Sequence, residues 1–134
     1  MSMSYSKQTG FTLIELMIVV AILAIVTSIA IPAYNGYIAT ARNTEAHNNM
    51  AALRLAEEEY YLENNTYIAG EYDAGGTKTL STGALGWSPS EPDAEQQFTY
   101  TVTAGSTGDI ATSYEITAQG SGDKVPTSVT LTLE

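Results

Sequence analysis

Between Phe11 and Ala33 the chain is almost unbroken hydrocarbon, with a single charge, Glu15, set near its start. As a helix, Phe11 to Ile31 spans about 32 Å, which matches the ~30 Å hydrocarbon core of a bilayer. A segment of this kind predicts a transmembrane helix, and it constrains the rest of the chain to be arranged around it. A conventional secretory signal fits poorly, because it has a basic start, a shorter apolar run and a small-residue cleavage site after that run. Here the only cleavage-like element, Lys7-Gln8-Thr9-Gly10, comes before the run. A cut after Gly10 would leave the apolar helix in the mature protein. Lys7 ahead of the span favours a cytoplasmic N-terminus and an outward C-terminus.

Glu15 is the anomaly in that run. An acidic side chain costs roughly 2.5–3.5 kcal/mol at the centre of a membrane and less near an interface. Two readings stay open on the residues alone. Glu15 lies at headgroup depth and is tolerated there, or it has a partner. If Phe11 becomes the new N-terminus, an α-amino cation lies one helical turn away, on the same chain or on a neighbour.

The stretch Lys7-Gln8-Thr9-Gly10 followed by Phe11-Thr12-Leu13-Ile14-Glu15-Leu16 resembles the cleavage and methylation site of type IV pilins and type II secretion pseudopilins. The continuation from Met17 to Ile25, ending at Ile31-Pro32-Ala33-Tyr34, is similar to the same family, and the likeness runs to about Tyr37. The resemblance implies a prepilin peptidase that cuts between Gly10 and Phe11 and methylates the new Phe11 amine. It implies that Glu15 pairs with the Phe11 amine of an adjacent subunit and sets register during assembly. It also implies that these helices bundle in a fibre, where the stretch up to Pro32 loses helical bonds. Elementary chemistry points the same way for Pro32. It lacks an N–H and clashes with the preceding turn, so a kink or melted segment is expected near Ser28 to Ile31, with Thr27 and Ser28 offering side-chain partners to freed carbonyls.

From Ala33 to about Asn64 the sequence reads as an amphipathic helix. Ala46, Met50, Leu53, Ala56 and Tyr60 form one apolar stripe, while Arg42, Asn49, Arg54, Glu58 and Glu63 fall mostly elsewhere. Gly36 weakens the helix locally by about 1 kcal/mol. Asn64-Asn65 stops it; the triplet with Thr66 fits a glycosylation sequon, but the helix stop is preferred. Residues 65–96 form a glycine- and proline-punctuated connection, with short strands expected at Thr66–Ile68 or Thr77–Leu80. Three strands with period-two alternation then follow, marked by Phe98, Tyr100 and Val102, by Tyr114, Ile116 and Ala118, and by Val129, Leu131 and Leu133. The greasy face of that antiparallel meander needs a lid, and the helix stripe is available.

The expected fold is therefore α+β: a long N-terminal helix packed on a small antiparallel sheet of three to four strands. The expected organisation is a leader at 1–10 that is removed, a transmembrane or filament-core helix at 11–33, an amphipathic helix at 34–64, a connection at 65–96 and a sheet at 97–134. Residues 34–134 make the globular part.

Little else in the chain suggests chemistry. The chain carries 15 acidic residues against five basic ones, a net charge of −10, which argues against nucleic acid as a partner of the globular part. With no cysteine there is no thiol catalysis, thiolate zinc site or disulfide. Many pilins staple the C-terminal region with such a disulfide; here the last strand relies on its ladder and on burial of Val129, Leu131 and Leu133. His47 is the single histidine, with no constellation around it, and reads as a helix-surface residue. Glu57-Glu58-Glu59 reads as a solvated helix face. Asp109 and Asp123, in glycine-containing loops, are weak calcium candidates. Nine tyrosines invite an electron-conducting reading, but packing accounts for them more economically.

No enzyme and no cofactor are expected. The resemblance implies a structural subunit of a type IV pilus, held in the bacterial inner membrane as a single-pass protein until it joins an extracellular filament. The implied partners are copies of itself, the peptidase and N-methyltransferase, the membrane assembly machinery and the lipid bilayer. A minor pilin or secretion pseudopilin is the alternative within the family, and a non-polymerising membrane-tethered adhesin the alternative outside it.

Overall fold

The computed structural model describes residues 10–120 and the strand at 129–133. Lys7 and the rest of the expected leader before Gly10, the loop carrying Asp123, and the burial expected of Val129, Leu131 and Leu133 lie outside the described residues. The chain divides into two compact units, one ending at Gly36 and the other beginning at Tyr37. Helix α1, Leu13–Asn64, runs for 52 residues and contributes to both.

In the first unit α1 buries nothing. Fourteen large apolar side chains from Phe11 to Ile31 are all at least half exposed, from 50% at Val19 to 92% at Phe11. At about 1.5–3 kcal/mol for each such side chain, covering them is worth roughly 20–40 kcal/mol, more than the whole stability of an ordinary domain. The chain stays helical through Pro32. The carbonyl that Pro32 deprives of its usual donor is that of Ser28. The nearby hydroxyls do not answer it: Thr27 donates to the Leu23 carbonyl at 2.8 Å and Ser28 to that of Ile25 at 2.7 Å, one turn earlier.

In the second unit α1 closes over a four-stranded antiparallel sheet. The strands are β1 (Gly70–Tyr72), β2 (Phe98–Ala104), β3 (Tyr114–Gly120) and β4 (Val129–Leu133), in the order β1-β2-β3-β4. Tyr100 lies opposite Ala118 and Val102 opposite Ile116, which sets the alternating apolar residues of β2 and β3 on one face. That face meets Ala46, Met50 and Leu53 of α1 in one core. The expected helix-on-sheet arrangement is thus the one observed, with period 3.6 and period 2 meeting across a single layer boundary. Trp87 joins the core edge-on between Tyr72 and Tyr100, with ring centroids 6.1 and 5.4 Å away. Beyond Asn64 the backbone turns at Asn65, whose φ of 55° is the left-handed conformation that asparagine tolerates at a helix end.

The connection departs from expectation in two places. Its strand is β1 at Gly70–Tyr72, not Thr66–Ile68, because the Ile68 N–H is taken by the Glu57 carboxylate at 3.0 Å rather than by a neighbouring strand. Thr77–Leu80 is not a strand either. Lys78 makes a single bridge to Tyr72, and Thr79–Thr82 closes into one turn of helix, α2. Leu80 of α2 packs so closely on β1 that a Cβ at Gly70 would stand 2.7 Å from its Cδ2.

Candidate functional site

Gly10 precedes α1 in an open position, where an added Cβ would meet nothing within 4 Å. Packing therefore gives no reason for glycine at this point. Phe11 beside it is 92% exposed, and Gly10 is exposed as well. Helix α1 starts immediately after, and Thr12 and Glu15 cap it reciprocally. The Glu15 N–H donates to Thr12 Oγ1 at 3.3 Å, while the Thr12 N–H and hydroxyl donate to Glu15 Oε2 at 3.0 and 2.8 Å. This is a capping box: two donors at the helix start, which have no partner in the helix ladder, are satisfied by side chains. Glu15 Oε1 makes no hydrogen bond among the described residues. The carboxylate is therefore held at the helix start by Thr12, with one oxygen open among the described residues.

Thr12 is the residue that the sequence reading missed. Its signal was present, since Thr12-Leu13-Ile14-Glu15 ahead of an apolar run is the capping-box pattern.

In the second unit, polar side chains from the helix and the sheet pin the long connection. Asn49, expected off the apolar stripe of the helix, is buried. Its amide donates to Glu91 Oε2 at 2.8 Å and to the Tyr100 hydroxyl at 2.9 Å, and its oxygen accepts from the Ser90 hydroxyl at 3.0 Å. Burial raises the Tyr100 phenol to about 12. Further along, the Tyr72 hydroxyl donates to Asp93 Oδ1 at 2.6 Å, and Lys78 pairs with the other Asp93 oxygen. The hydrogen bonds from Lys78 and Tyr72 hold the Asp93 carboxyl below its usual range.

The acidic run at 57–59 is not a uniformly solvated face. Glu57 is fully buried. Its Oε2 accepts the Ile68 N–H and its Oε1 has no partner among the described residues. Burial pushes its pKa up to about 7. Glu58 accepts a bond from the Tyr114 hydroxyl at 3.3 Å, and only Glu59 of the three is exposed. Tyr67 stacks on Tyr61 at 4.5 Å and meets Tyr114 at a tilt of 51°, with centroids 4.4 Å apart, at this corner of the core.

The remaining candidates are not brought together. His47 is exposed on α1. Asp109 turns back into its own loop, where Oδ1 accepts the Ala111 N–H at 2.9 Å. Among the described residues no three His, Cys, Asp or Glu side chains cluster as metal ligands.

Two family profiles match the chain. Residues 5–31 match one described as a prokaryotic N-terminal methylation motif, and residues 32–128 match one described as type IV minor pilin ComP, DNA uptake sequence receptor. The fimbrial protein EcpC of Eikenella corrodens is 43% identical over 74 residues, 55% of this chain and 48% of its own length. A fimbrial protein of Pseudomonas aeruginosa is 44% identical over 78 residues, covering 54% and 51%. The type IV major fimbrial protein FimA of Dichelobacter nodosus is 43% identical over 89 residues, covering 66% and 54%. The chain spans about half the length of these curated relatives. No solved structure matches it.

Proposed function

From the premise that this chain belongs to the type IV pilin family, we propose that it is the structural subunit of an extracellular helical filament. The observation that carries this reading is the α1 segment from Phe11 to Ile31, whose fourteen large apolar side chains are all at least half exposed. Lipid covers them first. Identical neighbours cover them after assembly, so the filament core replaces the bilayer as the apolar solvent.

The subunit waits in the bacterial inner membrane with its C-terminus outside. A prepilin peptidase cuts the exposed Gly10–Phe11 bond and methylates the Phe11 amine. The cut turns the Thr12 end of α1 into a cationic terminus. Glu15, whose Oε1 is open, then pairs with the Phe11 amine of an adjacent subunit, and a cation within one turn offsets the cost of its burial. Without that pairing an incoming helix carries an uncompensated carboxylate into an apolar core, which is what gives Glu15 its registering role. In the packed fibre Pro32 and the unanswered Ser28 carbonyl mark where α1 gives way first. The partners are further copies, the peptidase and methyltransferase, and the assembly machinery in the membrane.

DNA reception, named in the description of one matching profile, is not proposed for this chain. Among the described residues the cations are Arg42, Arg54 and Lys78, and two of them are already paired, with Glu45 and Asp93. Among the described residues that leaves one unpaired guanidinium, and the whole chain carries a net charge of −10.

The test is electron microscopy of sheared surface material, with mass spectrometry of the N-terminus of the protein it contains. The expected result is filaments whose subunits begin at a methylated Phe11, lost on Glu15→Ala while the subunit remains in the membrane. A dispersed membrane protein with an intact leader would overturn the proposal. Assembled subunits confined to the periplasm would favour a secretion pseudopilin instead.

A further inference from the structure

The second unit leaves one face of α1 bare. Leu55 is 70% exposed and Leu62 83%. They lie seven residues apart, within about 20° of each other around the helix. Ala51 and Ala52 are exposed beside them. The buried stripe of Ala46, Met50, Leu53 and Glu57 lies on the opposite side of the same helix, so this bare face has no role in the subunit's own core.

The two edges of the bare face carry opposite charge. Arg54 stands about 100° to one side of Leu55. It is exposed and makes no ion pair among the described residues. Glu58, one turn on, engages the Tyr114 hydroxyl instead. On the other edge Glu59 and Glu63 line a groove of about 260 Å³ with Ala56, Tyr60, Ala84 and Leu85. Neither of these glutamates meets a cation among the described residues. Small and apolar walls with two carboxylates suit an arginine: the aliphatic stem lies along Ala84 and Leu85 while the guanidinium meets the acids.

We infer that this face is a subunit–subunit interface in which Arg54 of one copy enters the Glu59/Glu63 groove of the next. The inference rests on the filament reading above and names the residues that make one of its lateral contacts. Charge selects the orientation. Two parallel copies bring the Arg54 edge of one against the acidic edge of the other, whereas antiparallel copies set Arg54 against Arg54 and acid against acid. Because Glu59 and Glu63 lie five and nine residues beyond Arg54, the neighbour is displaced along the helix axis by about 8–14 Å. The giving and receiving edges are separate, so each copy engages one neighbour on either side. A displaced, head-to-tail contact of this kind propagates as a helix rather than closing as a two-fold dimer.

The test uses the full-length protein in a filament-forming host, with Arg54→Glu, with Glu59→Arg plus Glu63→Arg, and with all three reversals together. Trp87 fluorescence and the amount of subunit in the membrane verify that each variant is folded and inserted. Each half-reversal sets like charges against each other and is expected to lower sheared-filament yield by at least about ten-fold, and the combined reversal to restore most of it. Filament yield unaffected by Arg54→Glu, or a combined variant no better than its halves, would overturn the interface. Wild-type protein that yields no filaments at all would instead remove the polymer reading, and this contact with it.

Discussion

Glu57 makes the pH dependence of this fold a quantitative matter. The carboxyl is fully buried, one oxygen holds the Ile68 N–H and the other has no partner among the described residues. Burial, with the Glu58 charge adding to it, raises its pKa from the ordinary 4.5 to about 7, against the opposing bond from Ile68. The native state therefore keeps a proton that the unfolded chain gives up between these two values. Unfolding releases that proton, so stability falls as pH rises through the window. The contribution is fully present below pH 4.5 and lost above about 7, and at 1.36 kcal/mol per pH unit it amounts to about 3 kcal/mol. The perturbation is Glu57→Gln, which keeps the shape and the acceptor for Ile68 and removes the titration. Urea unfolding of the full chain in detergent micelles, followed by Trp87 fluorescence from pH 4.5 to 8, gives both stability profiles. Asp93 and the other carboxylates titrate in both proteins and cancel in the difference. The wild type is expected to lose about 3 kcal/mol relative to the variant across the window. Profiles that stay parallel to within about 0.5 kcal/mol would refute the argument, because a carboxyl truly removed from water cannot ionise without that cost.

Two further outcomes follow from other parts of the molecule. Thr12→Ala removes the hydroxyl that caps α1 and should weaken its first turn by about 1 kcal/mol; in micelles, amide exchange at Leu13 to Leu16 should quicken several-fold while exchange near Leu23 is unchanged. Asn49→Ala leaves Glu91, Ser90 and the Tyr100 hydroxyl without their shared partner and should cost about 2–4 kcal/mol in urea unfolding, with the 89–93 segment becoming sensitive to protease.

Much of the fold was legible because its signals are local and periodic. The apolar run from Phe11, the stripe of Ala46, Met50 and Leu53, the alternation of Phe98, Tyr100 and Val102, and the stop at Asn64-Asn65 each repeat at a backbone period or mark its end. Any chain with that order of periods has few ways to hide its apolar faces, and the helix-on-sheet packing is one of them. The methylation motif was legible for a related reason, since a glycine, an apolar run and one acid coincide within six residues.

The sequence by itself thus determined the long helix and the strands with clear alternation, which of their faces are apolar, and that α1 begins with a long run of hydrocarbon, but not the elements of the connection at 65–96. Only the tertiary structure decided the fate of the polar groups. Position 57 falls on the buried stripe by spacing, yet a glutamate there argues for solvent until Ile68 is seen to donate to it across the turn. Asn49 is buried because Ser90 and Tyr100, far along the chain, supply its bonds. Strand β1 lies at Gly70–Tyr72 because that stretch pairs with Thr101 and its neighbours in β2, far along the chain. Periodicity is a property of neighbours in sequence, whereas burial of a polar atom depends on a partner that the fold alone brings within reach.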